Sequence, residues 1–352
     1  GTLDTQFSST DRSLTVAGKT TIGAGSGSAS DAVLTCNDST ISLGSGSTSV
    51  TGLHVTVGGT FTGGTGPHTI GSILADNSAA LSVTLTDDVT TINGKQYSSS
   101  SIFIATGGTF AHGGGTVNLT YAGTTRVYMY NNKALNNFTV DNGGNTAEIY
   151  QNLTCAGNLT ITAGTVNTMS SLNSALTVNG DVDVDGTLTA NASTLTFGGH
   201  SRIDGTFARG TSTVIMDGNQ GSVTNPTIRS FVGGNKFYNL ICRDTATGDG
   251  VQMATDITVA NDLTIEDTAS LTGYIADRVF TVEGDAVIAG IFRGNRYGTG
   301  AANSFGSLTI NAGNGSTTGV FQATSGTTTI TSHLSNKAIS NAGTFTNNDG
   351  TV

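Results

Sequence analysis

A ten-residue phrase occurs three times in this chain: GTFAHGGGTV from Gly108 to Val117, GTFARGTSTV from Gly205 to Val214, and GTFTNNDGTV from Gly343 to Val352. The first two copies are followed by matching segments in the same order. After Val117 come LNNFTV (Leu135 to Val140), LTCAGNLTI (Leu153 to Ile161) and LTVNGDVDVDGTL (Leu176 to Leu188). After Val214 come FYNLIC (Phe237 to Cys242), ITVANDLTI (Ile257 to Ile265) and FTVEGDAVIAGIF (Phe280 to Phe292). The offset drifts only from 97 to 104 residues, so the order and the apolar positions are kept over the whole stretch. Such self-similarity marks a repeat array whose unit is a supersecondary structure.

Shorter turns recur inside the unit. GTLTANASTLTF (Gly186 to Phe197), GVFQATSGTTTI (Gly319 to Ile330) and GTFTGGTGPHTI (Gly59 to Ile70) share a Gly, an apolar third residue, a polar gap and an alternating segment. Gly186 and Gly205 are 19 residues apart, and Gly319 and Gly343 are 24 apart. That period is too short for a pair of helices and suits one coil of a β-solenoid. Triplets such as Leu159-Thr-Ile, Leu176-Thr-Val, Val182-Asp-Val and Leu308-Thr-Ile alternate apolar and polar residues, as strands buried on one side do. No segment carries helical spacing. The expected fold is all-β, a parallel β-solenoid (β-helix) of short strands with coils of roughly 19 to 24 residues. The array is expected over 51–352, with units at about 108–204 and 205–342 and a truncated unit starting at 343. Residues 1–50 fit the repeat least and read as an N-terminal β cap or less regular coils.

Composition narrows the class further. Fifty Gly but two Pro, without a Gly every third residue, exclude collagen. A formal charge of −10 with dispersed Lys and Arg argues against nucleic acid as a partner, because phosphate binding needs concentrated cations. It also disfavours acidic sugars. No apolar run approaches the ~20 residues of a membrane helix, so membrane insertion is not expected. Cys36, Cys155 and Cys242 are widely spaced, and the last two sit at strand positions, so all three read as small buried hydrophobes.

Several groupings bear on chemistry. Asp181, Asp183 and Asp185, followed by Gly186, match the opening DxDxDG of a calcium loop, in which alternate oxygens converge on a hard cation. The twelfth position, where an EF-hand places Glu, is Ala192, and the flanking valines alternate as a strand that splays the carboxylates along one exposed face. Calcium at these three residues is the one cofactor suggested. Acid–base catalysis on polysaccharide needs carboxylates paired across coils. The local groupings are Asp87 with Asp88, Arg243 with Asp244, and Asp249, all in or beside polar gaps. The histidines, His54, His68, His112, His200 and His333, are isolated, and His112 is replaced by Arg209 and Asn347 in the other copies of the phrase, as suits a solvated corner. Arg126, Tyr128 and Tyr130 lie on one face of an apparent strand, either as a platform for stacking sugars or as a covered aromatic ladder.

At FYNLIC, ALNNFTV, GNLTITAGTVN, LTVNGDVDVDGTLTANASTLTFGG and SLTINAGNGSTTGVFQATSGTTTIT, the chain resembles the repetitive β-helical structural and fibre proteins of marine tailed bacteriophages. It is similar also to the repeat regions of bacterial surface adhesins. The resemblance runs from about residue 50 onward and brings no catalytic residues. It implies a virion structural component such as a tail fibre, often a homotrimer, that meets other virion proteins and host glycan. An adhesin would use the same physics at a cell surface. A polysaccharide-degrading solenoid enzyme is the alternative of a different class.

Overall fold

The computed structural model describes residues 1–7, 10–24, 31–46, 52–96, 99–218, 225–243, 250–273, 278–294, 300–312, 318–331 and 338–352. The described residues are all β, with no helix, and parallel strands stack as a β-solenoid of about 13 turns. The chain forms two compact units, Gly1–Leu176 and Thr177–Val352, and both follow the same rules.

The repeated phrase explains the coil position by position. Its third residue is a core rung. In the first unit Leu34, Phe61, Val83 and Phe110 pair in register on successive coils. In the second unit Phe292, Phe321 and Phe345 do the same, with centroid separations of 5.0 and 5.2 Å and interplanar angles of 14° and 13°. The first residue must be Gly because it lies over the backbone of the coil beneath. A Cβ on Gly205 would stand 2.1 Å from the Gly186 carbonyl oxygen. The sixth residue turns the corner in the left-handed region: Gly64 has φ +71°, Gly113 +71°, Asn191 +52°, Gly210 +55° and Asn348 +45°. Gly and Asn are the residues that enter that region at least cost.

The hundred-residue period has its own cause, which is the end of one ladder and the start of another. Thr109–Ala111 is the last strand of a five-stranded sheet in the first unit. On the next coil, side chains stand where a strand would pair. Asn131 donates to the Thr106 carbonyl at 2.8 Å, Lys133 to the Gly107 carbonyl at 2.8 Å and to that of Ala105, and Asn136 to that of Gly114. A new ladder then opens with Ala134–Leu135 against Leu153–Cys155. The second copy repeats this. Thr206–Ala208 pairs back to Thr187–Thr189, while Asn235 accepts from the Phe207 N–H at 2.9 Å and donates to the Gly205 carbonyl at 3.0 Å. The new ladder begins where Phe237 bridges Val259 and continues through Phe280–Ile288.

Polar residues bind coil to coil at the corners. Asn137 Oδ1 accepts from Asn158 N at 2.9 Å, Asn152 Oδ1 from Ala175 N at 2.9 Å, and Asp262 Oδ1 from Asp285 N at 3.0 Å. Each such bond contributes about 1 kcal/mol and ties neighbouring coils at or beside the ends of their paired segments. Described residues of the first fifty join the ladders: Thr2–Asp4 pairs with Ala32–Thr35, and Leu14–Val16 with Ile41–Leu43. Gln6–Phe7 and Thr10–Asp11 add a short antiparallel pair. Coil length varies more widely than the phrase spacing suggests, from Val182 paired with Ser201 to Thr20 paired with Leu53.

His68 is a polar residue inside the core. It is 1% exposed, sits edge-on to Phe61 at 5.8 Å, and neither ring nitrogen makes a hydrogen bond of good geometry. Burial pushes its pKa down to about 4, against smaller upward pulls from the Gly63 backbone and Asp88.

Two predictions follow from this packing. Gly205→Ala forces a Cβ onto a carbonyl and is expected to cost about 2 kcal/mol in urea denaturation. Gly18→Ala, with open space around it, should stay within about 0.5 kcal/mol. For His68, the unfolded chain takes up a proton that the native state refuses. Stability should therefore fall as pH drops from 6.5 toward about 4, by about 3 kcal/mol in total, and His68→Leu should remove that part of the slope.

Candidate functional site

Alternate residues of a strand face opposite sides of a sheet, and in a parallel stack those sides become columns running from coil to coil. On Ile73–Ala75, Ser100–Ile104, Thr125–Met129 and Asn137–Ile149 the inward residues, including Ile102, Val127 and Ile149, are buried. The outward residues are Leu74, Phe103 and Tyr128, paired in register, and then Tyr150, which follows the Val127–Ile149 pair. His54 stands one coil before Leu74 and lies 3.0 Å from Asp76.

The aromatic part of this column is half-buried and continuous. Phe103 and Tyr128 have centroids 5.2 Å apart with planes tilted 48°, and Tyr128 and Tyr150 are 4.9 Å apart at 38°. Tyr130 flanks them, 6.2 Å from Tyr128 and 5.8 Å from Phe103. On the adjacent column Arg126 pairs in register with Glu148, its Nε 3.3 Å from Oε2, and its guanidinium lies 4.5 Å from the centre of the Tyr150 ring. Burial pushes the Tyr128 hydroxyl pKa up, and Arg126 pulls it the other way. The structure therefore brings Arg126, Tyr128 and Tyr130 together. It adds Phe103, Tyr150 and Glu148, which sequence reasoning missed because they lie one coil away in either direction.

The three aspartates of the calcium-like segment are placed differently. Val182–Val184 is a strand with both valines buried, so Asp183 points outward. Arg202, on the next coil, donates through Nη1 to Asp183 at 2.6 Å, through Nη2 to Asp185 at 2.8 Å, and through Nε to Asp204 at 2.7 Å. Asp181 Oδ1 accepts from His200 N at 2.7 Å as a corner clamp. The cation that Asp183 and Asp185 meet is thus a guanidinium. Among the described residues no group of three or more His, Cys, Asp or Glu is arranged to hold a metal ion.

The remaining groupings serve local structure. Asp88 Oδ1 accepts from Val89 N at 2.8 Å within its own turn. Arg243 makes a two-pronged pair with Glu266, both bonds 2.8 Å. His112 Nδ1 accepts from Gly114 N at 3.0 Å, and His200 Nδ1 from Thr227 N at 3.1 Å. Asp244, Asp249 and His333 lie outside the described residues. The three cysteines are free and buried, and burial pushes Cys36 and Cys155 up to about 12, so both stay as neutral thiols.

Comparison of the chain with protein-family models, with curated proteins and with solved structures gives no match.

Arg202→Ala leaves Asp183, Asp185 and Asp204 as like charges on neighbouring coils. The variant should melt at a lower temperature than the parent at pH 7, and the difference should shrink toward pH 4 as Asp183, whose carboxyl pKa burial pushes up, takes up its proton. Thermal melts followed by circular dichroism at the two pH values would show it.

Proposed function

We propose that this chain is a non-enzymatic structural and adhesive rod, a fibre or tail component of a tailed-phage virion whose outer faces contact neighbouring proteins or host glycan. The observation that carries this reading is the division of labour among polar residues. Asn137, Asn152, Asp181 and Asp262 fasten one coil to the next, and Arg202, Arg243 and Arg126 are each paired to carboxylates of an adjoining coil. Charged and carboxamide groups that an enzyme would direct into a cleft are used here to resist separation of coils. The resemblance of the NLTI and LTV.GD segments to phage β-helical proteins supports the same reading, and a homotrimer follows from that resemblance.

A mechanical role asks for continuity along the stack and for side faces that can meet a surface. Nucleic acid is not a partner in this reading, since the cations are few and dispersed. No described helix is long and apolar enough to cross a membrane. If calcium binds at Asp181, Asp183 and Asp185, it has to displace the Arg202 guanidinium from two of them.

Light scattering combined with small-angle X-ray scattering tests the proposal. A trimeric, elongated particle is expected. A monomeric rod would move the reading to a bacterial surface adhesin, and a compact particle would overturn both. Turnover of any member of a polysaccharide panel by the purified chain would overturn the non-enzymatic part.

A further inference from the structure

The outward column through Phe103, Tyr128 and Tyr150 differs from its neighbour on the same sheet. There, in successive coils, the outward residues are Thr69, Thr91, Asn118, Thr139 and Thr160, all polar. Folding does not require the aromatic substitution, because the interior of the same coils is already filled by Ile102, Ile104, Val127, Met129 and Ile149. Three consecutive coils nonetheless present a ring outward, preceded by Leu74 on a fourth, and the rings stay partly open to solvent.

Ring geometry and charge narrow what such a column can hold. Tilts of 48° and 38° mean that successive rings do not stack flush, so each leaves part of a face and an edge uncovered. The tyrosines add hydroxyls, and the rim carries a donor and an acceptor in Arg126 and Glu148. Apolar faces interleaved with hydrogen-bonding groups match a pyranose ring, which has a C–H face and hydroxyls at its edge. Arg126 is already neutralised by Glu148 and covers Tyr150, and the chain carries a formal charge of −10, so an acidic sugar finds no spare cation. The column repeats at the spacing of a β-ladder, ~4.8 Å, and an extended chain of six-membered sugar rings advances by about the same distance per ring.

We propose that Leu74, Phe103, Tyr128 and Tyr150, rimmed by Tyr130 and the Arg126–Glu148 pair, form a binding track for a neutral linear polysaccharide lying along the direction of coil stacking, one sugar to a coil. The track rests on the rod reading only in needing this side face free, and it does not depend on the trimer or the virion.

The chain contains no Trp, and three of its eight tyrosines, Tyr128, Tyr130 and Tyr150, lie on this face, so part of the tyrosine emission reports on it. The full chain is titrated with linear glucan, mannan, galactan and xylan oligosaccharides of increasing length, and with polygalacturonate and hyaluronate fragments as acidic counterparts. At least one neutral series is expected to change tyrosine emission and to bind more tightly with each added sugar up to the length of the column. Tyr128→Ala with Tyr150→Ala should weaken that binding at least tenfold, Tyr128→Phe should keep most of it, and Thr91→Ala with Thr139→Ala on the polar column should leave it unchanged. Because the neutral-against-acidic and chain-length comparisons use the unsubstituted chain, the test survives misfolding of the alanine variant. Binding to no neutral series, a preference for the acidic fragments, or indifference to the paired tyrosine-to-alanine changes would overturn the proposal. So would light scattering in which the alanine variant alters the association of copies while sugar binding is unaffected, since a second copy would then be what covers the face. A monomeric chain that binds neutral glycan would keep the track and remove the fibre, so the two readings fail separately.

Discussion

Each coil rests on the one beneath it at the distance of a parallel β-ladder, and most of the chain's unusual composition follows from that contact. At this spacing the backbone of one corner lies against the backbone of the next. Gly205 has no room for a methyl group above Gly186, and Gly210, turning with φ +55°, would drive one into the Asn191 carbonyl. A composition that in another chain would signal disorder here reflects corners stacked too closely for side chains. The same contact places like residues over like, so phenylalanines stack inside and threonines line a column outside.

Corners cannot be held by ladder bonds alone, and the acidic and carboxamide residues supply what is missing. Asn137 and Asp262 occupy corners in different units and accept in the same way from the backbone of the next coil. Acidity that could be read as solubility, or as a search for cations, is in large part inter-coil fastening. Arg202 gathers three aspartates that a calcium motif would have used, and a fixed side chain does the work of an ion without depending on its concentration.

The fold was legible because it is periodic. Gly at the first position of the phrase, an apolar third and a Gly or Asn sixth recur often enough to show a coil without coordinates. The site was legible only in part. Arg126, Tyr128 and Tyr130 share one strand and could be seen together. Phe103 and Tyr150 join them only once coil lengths of 25 and 22 residues are known, and those lengths differ from one coil to the next. A column crosses the sequence at intervals set by loops, which alternation within a strand does not encode. Arg202 was hidden for the same reason, since it comes from the coil after the aspartates it neutralises.

The interrupted ladders near Lys133 and Asn235 bear on how such a stack acquires its order. In an unbroken pile of near-identical rungs, a strand that pairs one step out of place passes its error to every rung added after it. At Lys133 and Asn235 one face of the coil passes from ladder bonds to side-chain bonds, while a neighbouring face stays in register, Thr116–Leu119 with Asn137–Val140 and Thr213–Asp217 with Asn239–Arg243. The face that resumes at Leu135 or Phe237 therefore does so in an alignment that the continuous face of the same coil already holds, and a slipped strand there would be out of step with its own coil.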